Sequence, residues 1–162
     1  MIKIIIVILF IFNLLACEPI EQASKYGEIQ KQTLFKCLAS QSQCEVNSEF
    51  GRFIIQFSGQ ALQERIKTEL PFQIQLMLEA TNDAYKLKSV SSYLEGKTMF
   101  MGKIPVFFEI EKNSTNTLVA ESLLASCSEE VMTWRLWLQV EITTAGELQQ
   151  QNFFIDFDSQ RL

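Results

Sequence analysis

The chain has 162 residues, 48% of them hydrophobic and 20% charged, with 14 basic against 19 acidic side chains, four cysteines and no histidine. That is one domain's worth of chain. A net charge of −5 argues against a nucleic-acid partner, since affinity for phosphate backbones comes from basic side chains that displace counterions. The missing imidazole excludes Ser-His and Cys-His catalytic pairs, His-ligated zinc or haem, and a histidine pH switch.

The N-terminal stretch 1–16, MIKIIIVILFIFNLLA, carries an unbroken apolar run from Ile4 to Phe12 and ends at Cys17. It is shorter than the ~20 apolar residues a spanning helix needs, so it reads as a cleaved signal peptide. Leu14-Leu15-Ala16-Cys17 resembles the bacterial lipobox, in which the cysteine is acylated after cleavage. The resemblance implies a mature chain anchored in a membrane through lipid on Cys17. With Glu18 next, it also implies the outer membrane, facing the periplasm, in a cell with two membranes. Residues 17–33 are polar and aperiodic and read as a tether able to reach roughly 50 Å when extended.

Residues 34–162 are expected to form one all-β domain. Period two dominates: Phe72 to Glu79 alternates Phe, Ile, Leu, Leu with mostly polar residues, and Met132 to Ile142 repeats the pattern. Shorter strands are expected over Phe50 to Phe57, Tyr85 to Tyr93, Val106 to Glu111, Thr117 to Leu123 and Phe153 to Phe157. Seven strands so spaced fit an immunoglobulin-like antiparallel β-sandwich. Gln60 to Leu70 reads as a short helix, because Leu62, Ile66 and Leu70 recur every four residues.

In an oxidising compartment Cys37 and Cys44 are the natural disulfide pair. Closing so small a loop contributes roughly 2–3 kcal/mol on the chain-entropy account. Cys127 is left over. Met99 and Met101 lie two apart, which points both thioethers to one side if the backbone is extended. Thioether and thiolate are soft ligands suited to Cu(I), and Met99, Met101, Cys127 and Met132 would form a soft site if the fold gathers them. The alternative is core packing, the usual occupation of methionines at strand spacing.

The elements Cys37 and Cys44, Pro71-Phe72, Met99-Phe100-Met101-Gly102, and Cys127 with Trp134 together resemble a family of largely uncharacterised periplasmic proteins. That resemblance covers most of residues 37–140 and implies envelope copper handling. This chain departs from the pattern in having no histidine beside its methionines.

The carboxylate pairs Glu109 with Glu111 and Asp156 with Asp158 read as solvated faces. No serine motif with an activating base occurs, and the few glycines form no phosphate cradle. The chain is therefore expected to be non-enzymatic. Trp134 and Trp137 face opposite sides of their strand, one into the core and the other beside Arg135. Arg135 and Trp137 are the candidate contacts for an envelope protein partner. Two functions follow: Cu(I) handling by the sulfur residues, or a structural or assembly role carried by the Trp137 face.

Overall fold

The computed structural model describes residues 35–60, 65–112 and 114–162. The signal peptide, the tether and Cys17 lie outside these residues. Two β-sheets form the described body. The first has the order β1(Phe35–Cys37), β2(Gln43–Asn47), β3(Gly51–Ser58), β5(Phe72–Ala80), β9(Thr117–Ser122), β8(Glu109–Ile110). The second has the order β4(Ile66–Lys67), β11(Glu147–Gln160), β10(Val131–Thr144), β6(Lys86–Gly96), β7(Lys103–Phe107). The all-β reading is thus the observed fold, a two-sheet sandwich.

Alternation determines which side chains lie between the sheets. Along β10, Met132, Trp134, Leu136, Leu138, Val140 and Ile142 are buried, and the residues between them face outward. β5 does the same with Phe72, Ile74, Leu76 and Leu78. The layers meet through aromatic pairs, Phe53 of β3 with Phe153 of β11 and Phe57 with Phe157, each with ring centroids 4.8 Å apart. Each such side chain taken from water contributes about 1.5–3 kcal/mol.

Several elements differ from the sequence expectation, β11 among them, which runs over 14 residues where only Phe153 to Phe157 is expected. Residues 66–70 are not helical: Ile66 is buried and pairs in parallel with Ser159 of β11. The Gln60 side chain accepts the Lys67 N–H and donates to the Leu70 carbonyl, replacing helical hydrogen bonds. The every-four spacing loses to this tertiary ladder, while 61–64 lie outside the described residues. The single strand expected over Val106 to Glu111 is divided, with β7 in one sheet and β8 in the other, so the chain changes layers at Phe108. The β1–β2 hairpin was not visible in the pattern at all. Its disulfide joins Cys37 and Cys44, which are direct cross-strand partners.

That hairpin covers β11, whose outer flank otherwise pairs only at Ser159 and Gln160 with β4. The Asp158 N–H donates to the Gln41 side chain, and Phe35 packs edge-on to Phe154 at 5.9 Å. An otherwise open strand edge is shielded this way.

β10 and β11 are joined by the two-residue turn Ala145-Gly146, both with positive φ (48° and 90°), between the paired residues Thr144 and Glu147. This is the turn geometry that matches strand twist, and it favours Asn-Gly. Ala145 pays the left-handed penalty without the local hydrogen bonding asparagine offers. Ala145→Asn is therefore expected to raise the unfolding free energy by about 1 kcal/mol. The urea midpoint, at unchanged slope, measures it.

Candidate sulfur site at the end of the five-stranded sheet

The sulfur residues converge where β6 ends and β10 begins. Gly96, the last residue of β6, is the cross-strand partner of Trp134, and the Lys97 N–H donates to the Thr133 carbonyl at 2.9 Å. Met132 lies next to this junction, 3% exposed, on the inward face of β10. Residues 97–102 form the β6–β7 loop. Met99 and Met101 are thus carried by a loop and not by the extended strand that their spacing suggested. Both are partly buried against the core, whereas Phe100 between them is 93% exposed.

Cys127 comes from the β9–β10 connection, and its Sγ stands 3.6 Å from Met132 Sδ. It is a free, partly buried thiol, also 3.7 Å from the Glu129 carbonyl. The point of closure is Gly96. A Cβ there would collide with the Met99 carbonyl oxygen and with Met132 Cε, and would lie 3.2 Å from Met101 Cγ. The absence of a side chain at Gly96 is thus what lets the methionine loop fold down beside Met132. The structure brings Cys127 and Met132 into contact and packs Met101 and the Met99 backbone around the same glycine.

The backbone of Met132 is fixed from the core side. The Trp134 indole N–H donates to Ser159 Oγ at 3.0 Å, and that hydroxyl donates to the Met132 carbonyl at 3.5 Å. Nothing in the sequence pattern marked Ser159 or Gly96 for these roles, because both act through tertiary neighbours.

On the outer face of the same sheet Arg135 and Trp137 do lie together. The Arg135 guanidinium sits 3.8 Å from the Phe154 ring centroid and 5.4 Å from that of Trp137. Trp137 stacks on Tyr93, and Lys103 Nζ stands 4.2 Å above the Tyr93 ring. Both candidate contact residues make side-chain hydrogen bonds within the chain. Arg135 donates to both Asp156 carboxylate oxygens at 2.7 and 3.0 Å, and Trp137 Nε1 donates to Glu95 at 2.6 Å.

Asp156, read from sequence as solvated, instead anchors this row, and Lys97 donates to it at 2.7 Å. Burial pushes the Asp156 carboxyl up, but the hydrogen bonds from Arg135 and Lys97 outweigh it and hold the group below its ordinary value. The hydrogen bond to Asp156 raises Arg135 against its own partial burial. Asp158 accepts from Thr133 Oγ1 at 2.8 Å. Among the described residues no cluster of three or more His, Cys, Asp or Glu side chains is arranged to hold a metal ion.

No protein-family model and no curated protein sequence matches the chain. Among solved structures it is similar to the crystal structure of a DUF4785 family protein from Legionella pneumophila subsp. pneumophila, with a TM-score of 0.51 and 14% identity over 74% of this chain. The match covers 31% of that protein, so the chain spans less than a third of its length. At this identity the similarity bears on the fold alone.

Two measurements test these contacts. Gly96→Ala is expected to lower stability by about 2 kcal/mol, the cost of overpacking a closed junction. Chemical denaturation reads the loss, and faster alkylation of Cys127 reports the opening of its contact with Met132. Because the folded-state pKa of Asp156 is depressed, its contribution is present above the unfolded carboxylate range near pH 4 and is lost as pH falls through the folded value. Asp156→Asn is expected to cost about 2 kcal/mol at pH 7, the worth of hydrogen bonds to a charged group. The gap to the wild type should close as the pH is taken below about 4.

Proposed function

We propose that the protein is a non-enzymatic, lipid-anchored protein of the cell envelope whose β-sandwich holds a soft monovalent ion, Cu(I), for transfer. The observation that carries this reading is the 3.6 Å contact between Cys127 Sγ and Met132 Sδ. Two sulfurs on a tetrahedral ion with metal–sulfur bonds of about 2.3 Å stand about 3.8 Å apart, so the pair needs almost no rearrangement to share one. Met101, packed at the same glycine, and Met99, half-buried in the same loop, are the further soft donors. With one thiol and otherwise neutral thioethers the site suits an ion passed on and not one retained.

The anchor reading rests on Leu14-Leu15-Ala16-Cys17 at the end of the apolar leader. The Cys37–Cys44 disulfide supports an oxidising compartment outside the cytoplasm. Reading the body as immunoglobulin-like rests on strand order. After the β1–β2 hairpin, β3-β5-β9-β8 faces β11-β10-β6-β7, the same succession as strands A-B-E-D and G-F-C-C′ of such domains.

The second reading, a structural or assembly protein that binds an envelope partner, is favoured by the aromatic row on the outer face. Tyr93, Trp137 and Phe154 lie side by side there, and Phe107, 78% exposed, stands on the neighbouring edge strand β7 opposite Ser91. Anaerobic titration of the reduced, purified chain with Cu(I) against a chromophoric Cu(I) chelator separates the two. The copper reading expects one ion per chain, lost in Cys127→Ser combined with Met132→Leu and retained in Trp137→Phe. A chain that takes no copper from the chelator overturns it and leaves the partner reading.

A further inference from the structure

The outer face of the six-stranded sheet carries a row of glutamines set by register. Gln43 of β2 is opposite Gln56 of β3, and Gln56 is opposite Gln75 of β5. Side chains so placed stand within about 5 Å at Cβ, close enough to link into one continuous amide chain. Here the chain is broken in the middle. Gln56 turns toward Gln43 and donates to its carbonyl oxygen at 2.8 Å, and Gln43 donates onward to Glu45 at 3.1 Å. Gln75 turns the other way and donates to Glu111 at 3.3 Å. Among the described residues no side-chain hydrogen bond joins Gln56 to Gln75.

A groove of about 330 Å³ opens at this parting, lined among others by Gln43, Gln56, Ser58, Gln73, Gln75 and Glu111. Its chemistry is specific. Among the described residues Gln56 Oε1, Gln75 Oε1 and one Glu111 oxygen accept from no donor, and the Gln73 carboxamide has no side-chain partner. No lining residue is basic, which disfavours an anionic ligand, and the only apolar lining residues are Phe57 and Val119. Phe57 itself is 4% exposed, turned into the core.

With its one carboxylate already accepting from Gln75, the lining suits an occupant that is neutral and rich in hydrogen-bond donors while able to accept from the remaining amide protons. Vicinal hydroxyl groups have that character, since each donates and accepts and a pair spans a planar carboxamide or carboxylate. We propose that this groove is a binding site for a neutral oligosaccharide, held by Gln56, Gln75 and Glu111, with Gln73 and Ser58 at one end. It lies on the sheet opposite to the one carrying the sulfur site and does not depend on copper.

The test is titration of the isotope-labelled chain, metal-free and with Cys127 alkylated, with maltotetraose, cellotetraose and triacetylchitotriose. Side-chain amide resonances are followed by nuclear magnetic resonance, with spermidine as a cationic control. The expected result is saturable movement of the Gln56 and Gln75 amide signals by at least one sugar. Binding should fall about tenfold in Gln75→Met and again in Glu111→Gln, whose partly exposed position tolerates the change without loss of fold. No saturable movement with any of the three sugars, binding unaltered in both variants, or saturation by spermidine alone overturns the proposal.

Discussion

The structure depends on the burial of Trp134. It sits with no exposed surface on β10, the strand that pairs with β11 on one flank and β6 on the other. An indole is a large apolar body with one donor, and enclosing it leaves that donor to be satisfied inside the core. Ser159, itself 1% exposed, supplies the acceptor. The same hydroxyl then reaches the Met132 carbonyl, so one buried polar chain fixes the end of β11, the start of β10 and the position of a sulfur. The parallel pairing of Ile66 with Ser159 adds the next strand to this point. What looks like an isolated tryptophan requirement thus determines the architecture of one whole end of the sandwich.

The sequence made much of this legible where burial is one-sided. β5 and β10 announce themselves because alternate residues must face the core, and their expected bounds agree with the observed strands to within a few residues. Patterning failed where the determinant lies in another part of the chain. Ile66 takes its conformation from Ser159, 93 residues away, and the helical spacing around it has no force against that ladder. β1 has only three residues and is half-exposed, too short for any period to show, yet it is held by a disulfide that the cysteine count did reveal. The division of β7 from β8 could not be read either, because both lie in a stretch that alternates well enough for one strand.

At the site the same distinction holds. The four sulfur residues could be named from chemistry, since a chain without histidine has few other soft donors. The folding of the methionine loop beside Met132 could not, because it follows from the lack of a side chain at Gly96 and from the pairing of that glycine with Trp134. Asp156 was misread for a related reason. A carboxylate at an outward strand position looks solvated until register places Arg135 directly across from it and the β6–β7 loop brings Lys97 over it. The glutamine row is a third case: Gln43, Gln56 and Gln75 are unremarkable in sequence and become a row only through two successive registers.

The sulfur pair also joins two kinds of support. Met132 belongs to a fourteen-residue strand laddered on both flanks, and its carbonyl is held by Ser159. Cys127 belongs to a connection without ladder pairing, tied by its thiol contacts, the Glu69 N–H to the Leu124 carbonyl, the Arg161 N–H to the Glu130 carbonyl, the weak approach of Thr68 to Ser126, and Arg161 donating to Ser128. A fixed thioether facing a thiol on a lightly tied segment is an arrangement in which one ligand defines the position and the other can yield. On the proposed copper reading that asymmetry matters more than the number of donors, because exchange requires one bond to lengthen while the others keep their place. Phe100, exposed between Met99 and Met101 on the covering loop, puts the most accessible apolar side chain of the described body on the segment that carries two of the four sulfurs.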